Sequence, residues 1–215
     1  MNSERSIWLV RHGNRRDFVE PEWCLTAKRP HDAPLSADGA VQALDVARRL
    51  AGENISRIFA SPFLRAVETA CHIGAILGHR VRVEHGLAEM MLLKWFPDTH
   101  DFLPVGELAA RHPEVDDSYD SVVEPVFPET PEQALARAAK TARILAEQHG
   151  GNLLLVTHGG CIRGLCEGIL GEPASVFPAL CCLIKLVRRN GRWILEADGS
   201  DTSHLSQAIQ EIRLA

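Results

Sequence analysis

Apolar positions fall in short blocks that alternate between two spacings. Residues 6–10 (SIWLV) form a compact apolar run with no helical period and predict a buried strand. In residues 35–52, Val41, Leu44, Ala47 and Leu50 recur three apart and predict one face of a helix, with Ser36 placed as N-cap. Residues 56–60 read as a second strand. Residues 61–78 read as a second helix, with Ser61 as cap and Pro62 at the first helical position, where prolyl geometry fits. Residues 80–86 predict a third strand. The period then fails: residues 94–130 hold five prolines and the acidic cluster EVDDSYD, with one short helix expected near VGELAARH. A stretch this irregular inside a compact domain predicts a cover over a site.

Regular spacing returns at residues 130–150, where Thr130, Pro131 and Gln133 write a capping box and Leu135, Ala138, Ala142 and Leu145 an apolar stripe. Residues 152–160 (NLLLVTHGG) are apolar almost throughout, as in a strand covered on both faces. A helix is predicted over 160–171 and a hairpin over 182–198, turning at Asn190-Gly191. The order predicts a single α/β domain over 1–215, a three-layer α/β/α sandwich whose mostly parallel sheet ends in an antiparallel edge strand.

Composition narrows the partners. With 46% hydrophobic and 24% charged residues, the chain has an ordinary soluble balance. Its net charge of −5 argues against nucleic acid, and no basic run suggests a membrane surface. The apolar run at 7–10 is too short for a signal peptide or a span, so a cytoplasmic location with no membrane partner is expected. The six cysteines, Cys24, Cys71, Cys161, Cys166, Cys181 and Cys182, form no C-x-x-C pair, and reduced thiols are expected.

Ligands of parallel α/β sheets bind beyond the carboxyl ends of the strands. Arg11, His12, Gly13 and Arg15 follow the first strand, Ser61 and Arg65 the second, Glu89 the third and His158 with Gly159-Gly160 the fourth. Each alone is a weak sign. Together, two histidines, three arginines and a carboxylate suit one small tetrahedral anion. Arginine forks match phosphate oxygens, and glycines let backbone and a helix N-terminus approach. Neutral imidazole is a competent nucleophile toward phosphorus, and a carboxylic acid can protonate a departing oxygen. His31, His72, His79, His85, His100, His112, His149 and His204 have no such setting and read as structural or exposed. No metal-ligand spacing is present, so no metal or other cofactor is expected.

These motifs resemble the histidine phosphatase superfamily, with its phosphoglycerate-mutase-like fold. RHG, SPFLRAVETA, GLAE and THGG match its signatures in order from about residue 6 to residue 204. RHGNRRD, RPHDAPLSADGAVQA, VEHGLAEMMLLKW and EPVFPETPEQ are most similar to the phosphatase domains of the suppressors of T-cell-receptor signalling and to ecdysteroid-phosphate phosphatases. The resemblance implies that His12 is a phosphorylated nucleophile and Glu89 the proton donor. It implies that Arg11, Arg15, Arg65 and His158 hold the phosphate of a small-molecule or protein phosphomonoester, which the backbone at Gly159 is expected to approach. Asn14 departs from the glutamate of those relatives, which leaves more positive charge uncompensated and bears on substrate preference.

A metal-independent phosphomonoesterase is therefore expected. The alternatives are a phosphoglycerate mutase, disfavoured because GLAEMMLLKWFPD replaces that family's ERxYGxLxG, and a non-catalytic phospholigand-binding module. Trp95 and Phe96 either stack on an aryl leaving group, giving a preference for aryl or phosphotyrosine-like phosphates, or anchor the cover. The sequence does not set the oligomeric state.

Overall fold

The computed structural model describes residues 4–96 and 102–206. Its sheet contains every predicted strand: β1 (Arg5–Arg11), β2 (Ile55–Ala60), β3 (Val81–Val83), β4 (Asn152–Thr157), β5 (Leu183–Arg189) and β6 (Arg192–Asp198). The strand order is β3-β2-β4-β1-β5-β6. β1, β4, β2 and β3 run parallel, in the register Ile7↔Leu153 through Arg11↔Thr157 for the central pair. The expected antiparallel portion is the β5–β6 hairpin at one edge. Its turn residues Asn190 and Gly191 have φ of 51° and 81°, the left-handed pair that a two-residue hairpin loop needs.

The period of two in β1 divides its side chains between two helical layers. Trp8 and Val10 pack toward α3 (Ala37–Leu50) and α4 (Leu64–Leu77). Ile7 and Leu9 pack toward α6 (Pro131–Gln148) and α7 (Gly159–Leu170). The α6 capping box forms as predicted, with Thr130 and Gln133 bonding reciprocally. Two helices of four residues each, α1 (Arg16–Val19) and α2 (Trp23–Thr26), precede α3 and are too short to show a period in sequence.

Three local expectations are corrected. The buried face of α3 runs through Gly39, Ala43, Val46, Ala47 and Leu50, while Val41 and Leu44 are only half-buried. Backbone contact sets this rotation: a Cβ on Gly39 would lie 2.2 Å from the Asn14 carbonyl oxygen. Ser61 does not cap α4, which starts at Leu64, because its hydroxyl is engaged by His158. Asp32 Oδ1 instead accepts the Leu64 N–H at 2.7 Å. β3 stops at Val83 because Glu84 turns inward and caps a 3-10 turn over His85–Leu87.

The irregular stretch is anchored from within. The fully buried Glu84 carboxylate accepts from the N–H groups of Gly86, Val122 and Val123 and from the hydroxyls of Tyr119 and Ser121. The expected short helix is α5 (Val105–Arg111). Phe96 is buried with Phe63, Ala88 and Met91, its ring centroid 5.4 Å from that of Phe63, so it anchors the cover. Trp95 packs, half-buried, on the same cluster. Residues 97–101, including His100, lie outside the described residues. Among the described residues, no helix is long and apolar enough to cross a membrane.

Candidate active site

The site gathers where β1, β2 and β4 end. Strand pairing continues one residue past β1, with His12 N–H bonded to the Thr157 carbonyl at 3.0 Å, and this brings His12 beside His158. Their ring centroids are 5.1 Å apart. Gly13 allows this turn to press on α3, since a Cβ there would stand 2.6 Å from the Gly39 oxygen.

His12 is oriented by its own loop. Its Nδ1 lies 2.8 Å from the Gly13 carbonyl oxygen. A carbonyl can only accept, so Nδ1 carries the proton and Nε2 keeps a lone pair. Arg65 Nε reaches that Nε2 at 3.3 Å. Burial, followed by the charges of Arg65 and Arg11, holds His12 well below the ordinary imidazole pKa. The ring is therefore neutral at pH 7.

His158 is set from the other side. Ser61 Oγ accepts the Phe63 N–H at 3.3 Å and lies 2.6 Å from His158 Nε2. One arrangement that this contact allows puts the serine proton toward Nε2 and the proton of His158 on Nδ1. Nδ1 faces Glu89, 3.7 Å from its Oε2. Burial and the neighbouring Arg65 and His12 also push His158 well below the usual range.

The arginines crowd together at this end of the sheet. Arg65 is buried on the first turn of α4, and burial together with Arg15 pushes its guanidinium down to about 9. Arg11 donates through one Nη to the Pro178 carbonyl at 2.8 Å, and its guanidinium lies 3.3 Å from where a Cβ on Gly159 would stand. Arg11 Nε, one Nη of Arg65 and His158 Nδ1 are buried with no hydrogen-bond partner among the described residues. Each such buried, unpaired donor costs about 1–3 kcal/mol. All three belong to residues gathered at the strand ends beside His12, and together they form a candidate cradle for an oxyanion.

Arg15 differs from its expected setting. Its guanidinium forks onto Asp17, with Nε 2.9 Å from Oδ1, and stacks 4.4 Å from the Phe18 ring centroid. Its charge still acts on Arg65 and His12. Arg16 points outward to Glu20. Asn14 is buried and turned from the cradle, with its amide donating to Asp38 Oδ2 at 2.7 Å. The carboxylate that compensates Arg15 is thus Asp17.

Sequence reasoning missed the support under Glu89. Arg137 of α6 bonds Glu129 through both carboxylate oxygens and donates to the carbonyls of Gly86, Ala88 and Glu89. Glu129 in turn accepts the Met91 N–H at 3.2 Å. The available signal was a charge on the buried face of α6, between Ala134 and Thr141. Of the remaining histidines, His85 pairs with Glu124 and His204 with the Cys181 carbonyl, while His31 packs edge-on against Phe96.

The model of the histidine phosphatase superfamily (branch 1) matches residues 7–200. The chain is 30% identical to ubiquitin-associated and SH3 domain-containing protein A of Mus musculus, over 90% of this chain and 39% of that protein. It thus spans well under half the length of that relative. It is 28% identical to the probable phosphoglycerate mutase GpmB of Proteus mirabilis, over 96% of this chain and 98% of that one. The crystal structure of the ecdysone phosphate phosphatase of Bombyx mori, in complex with tungstate, superposes with a TM-score of 0.78 at 22% identity, covering 97% of this chain and 96% of that one.

Proposed function

The chain belongs to the histidine phosphatase superfamily, and from that membership we propose that it is a metal-independent phosphomonoesterase working through phosphohistidine. The observation that carries the proposal is the set of three buried, unpartnered nitrogens, on Arg11, Arg65 and His158, at the strand ends beside His12, whose Nε2 keeps its lone pair. The tungstate in the Bombyx mori relative, a tetrahedral oxyanion, supports the same reading.

The ester phosphate lies among Arg11, Arg65, His158 and the backbone of Gly159, with Arg15 at the mouth. His12 Nε2 attacks phosphorus and the bond to the ester oxygen breaks. Glu89 delivers its proton to that oxygen as the alcohol leaves. Water then attacks phosphorus and gives a proton to Glu89 as the N–P bond breaks. Inorganic phosphate leaves, and His12 is again neutral. The arginines and His158 stabilise the equatorial oxygens throughout, so positioning and charge do most of the work.

A phenolate, with a conjugate-acid pKa of about 10, leaves with little protonation, whereas an alkoxide needs the proton. Aryl phosphates are therefore the better substrates, and Glu89→Gln slows alkyl phosphates far more than aryl ones. The deciding experiment is rapid quench during turnover, in which acid-labile, base-stable phosphate appears on His12 and is absent from His12→Ala. Near-normal turnover by His12→Ala refutes the mechanism. Transfer of the phosphoryl group to glycerate faster than to water makes the chain a mutase instead.

A further inference from the structure

Beside the phosphate cradle, at the same end of the sheet, lies a cavity of about 460 Å³ whose lining includes Met90, Leu135, Gly160, Arg163, Val176 and Pro178. That volume is in the range of pockets that hold small ligands. Two of its lining glycines stand against catalytic side chains. A Cβ on Gly160 would lie 2.8 Å from Glu89 Oε1, so only a glycine separates the cavity from that carboxyl group. Gly159, also in the lining, backs onto Arg11 in the same way, and the Pro178 carbonyl accepts from Arg11. The Met90 N–H bonds Glu89 Oε1 at 3.0 Å.

The leaving oxygen must meet Glu89 to be protonated, so whatever is attached to that oxygen extends into the space next to Glu89. The chemistry of that space is uneven. Met90 and Val176 are half-buried on the α6–α7 core and offer an apolar floor. Among the described residues, Arg163 is the one charged side chain in the lining. Its ion pair with Glu167 is long, at 3.8 Å, and its side chain is 58% exposed, which leaves the guanidinium open to a ligand. We propose that this cavity is the leaving-group subsite, selecting aryl phosphates whose ring carries a carboxylate directed at Arg163. The inference rests on the phosphatase reading above and deepens it.

Kinetics with phenyl phosphate and 4-carboxyphenyl phosphate test the subsite on the whole chain. Arg163→Ala is expected to lower kcat/KM for the carboxylated compound about tenfold, through KM, as loss of one charge-assisted pair does, and to change phenyl phosphate less than about twofold. Val176→Asp is expected to raise KM for both. Inorganic phosphate, too small to reach the cavity, keeps its inhibition constant in both variants, which shows that the cradle is intact. Hydrolysis of both compounds at a ratio unaltered by Arg163→Ala overturns the subsite and leaves the phosphatase standing. Wild-type protein that hydrolyses neither compound overturns the phosphatase and the subsite together.

Discussion

Arg137 grips Glu129 through both carboxylate oxygens, at 2.7 and 2.9 Å, where both side chains are nearly sealed from solvent. The remaining donors of that guanidinium go to the backbone carrying Glu89. One buried fork thus joins α6, the segment before it and the candidate acid. Removing one partner of a buried pair leaves the other charge stranded. Arg137→Met is expected to lose about 3–5 kcal/mol of stability, measured by denaturant unfolding. Arg137→Lys, which keeps the charge and loses the fork, should retain part of it; equal losses in the two variants would show that charge alone matters.

Ser61 Oγ is the hydrogen-bond partner of His158 Nε2, at 2.6 Å. Ser61→Ala leaves His158 Nε2 buried and unpaired, at a cost of about 1–3 kcal/mol. If that cost falls on the transition state, kcat drops by about 5–150-fold. Ser61→Thr, which retains the hydroxyl, recovers most of the rate. Steady-state kinetics on the two variants check this, with melting temperatures to show that the fold is kept.

Both site histidines titrate below the ordinary value of 6.5 in the folded chain. The unfolded chain therefore binds more protons than the native one at mildly acid pH. By linkage, the stability due to neutral His12 and His158 is fully present above pH 6.5 and is lost as the pH falls below it. Unfolding free energies at pH 7.5 and 5.5 should show the drop, and His12→Gln should make it shallower. If His12 is the nucleophile, as proposed, it stays neutral below pH 6.5, and the acid limb of kcat/KM is then not that of an ordinary imidazole.

Asn14 donates to Asp38 at 2.7 Å, and hydrogen bonds from Ser36 and Asn14 keep Asp38 acidic despite the desolvation that opposes them. Asn14→Asp turns the donor into a second carboxylate. A loss of about 1–3 kcal/mol is expected in thermal melts. The exchanged pair, Asn14→Asp with Asp38→Asn, should restore most of it, because a donor again faces an acceptor. Failure of the exchange to recover stability would mean that the direction of this hydrogen bond is fixed by the other contacts of Asp38, among them the one from Ser36.

Arg15 and Arg16 are neighbours in sequence with opposite settings. Arg15 acts electrostatically on His12 and Arg65, whereas Arg16 forms an exposed i,i+4 pair with Glu20. If the Arg15 fork trades Asp17 for the transferring phosphoryl group, Arg15→Ala raises the barrier by about 2–4 kcal/mol, in the manner of a lost oxyanion donor. Arg16→Ala should cost only about 0.3–0.5 kcal/mol, and that in stability. Comparing kcat/KM of the two variants checks the placement.

The layers and strands were legible because β1 and β4 are apolar on both faces and α6 carries an unambiguous cap. The strand-end residues were legible because a parallel sheet points its carboxyl ends to one side, so His12, Arg65 and His158 could be grouped without a structure. The inner supports were not. Ser61 looked like a helix cap, and its distance from His158 exists only after β2 and β4 pair. Glu84 and Glu129 each look solvated in sequence, since the donors that justify their burial come from other segments. Phe96 was ambiguous because stacking on a substrate and packing on Phe63 require the same residue type.

The strand order has a further consequence for synthesis. β4 lies between β1 and β2, so the early strands have no direct edge in common. While the chain is being made, β1 and the β2–β3 pair remain separate pieces that cannot hydrogen-bond into one sheet until residues 152–157 emerge. The cradle draws on both pieces and on the end of β4 itself. No nascent chain shorter than His158 can complete it, and Arg11, His12 and Arg65 stay unassembled until then. The arginine cluster that announces the site near the start of the sequence is thus completed by a strand made late.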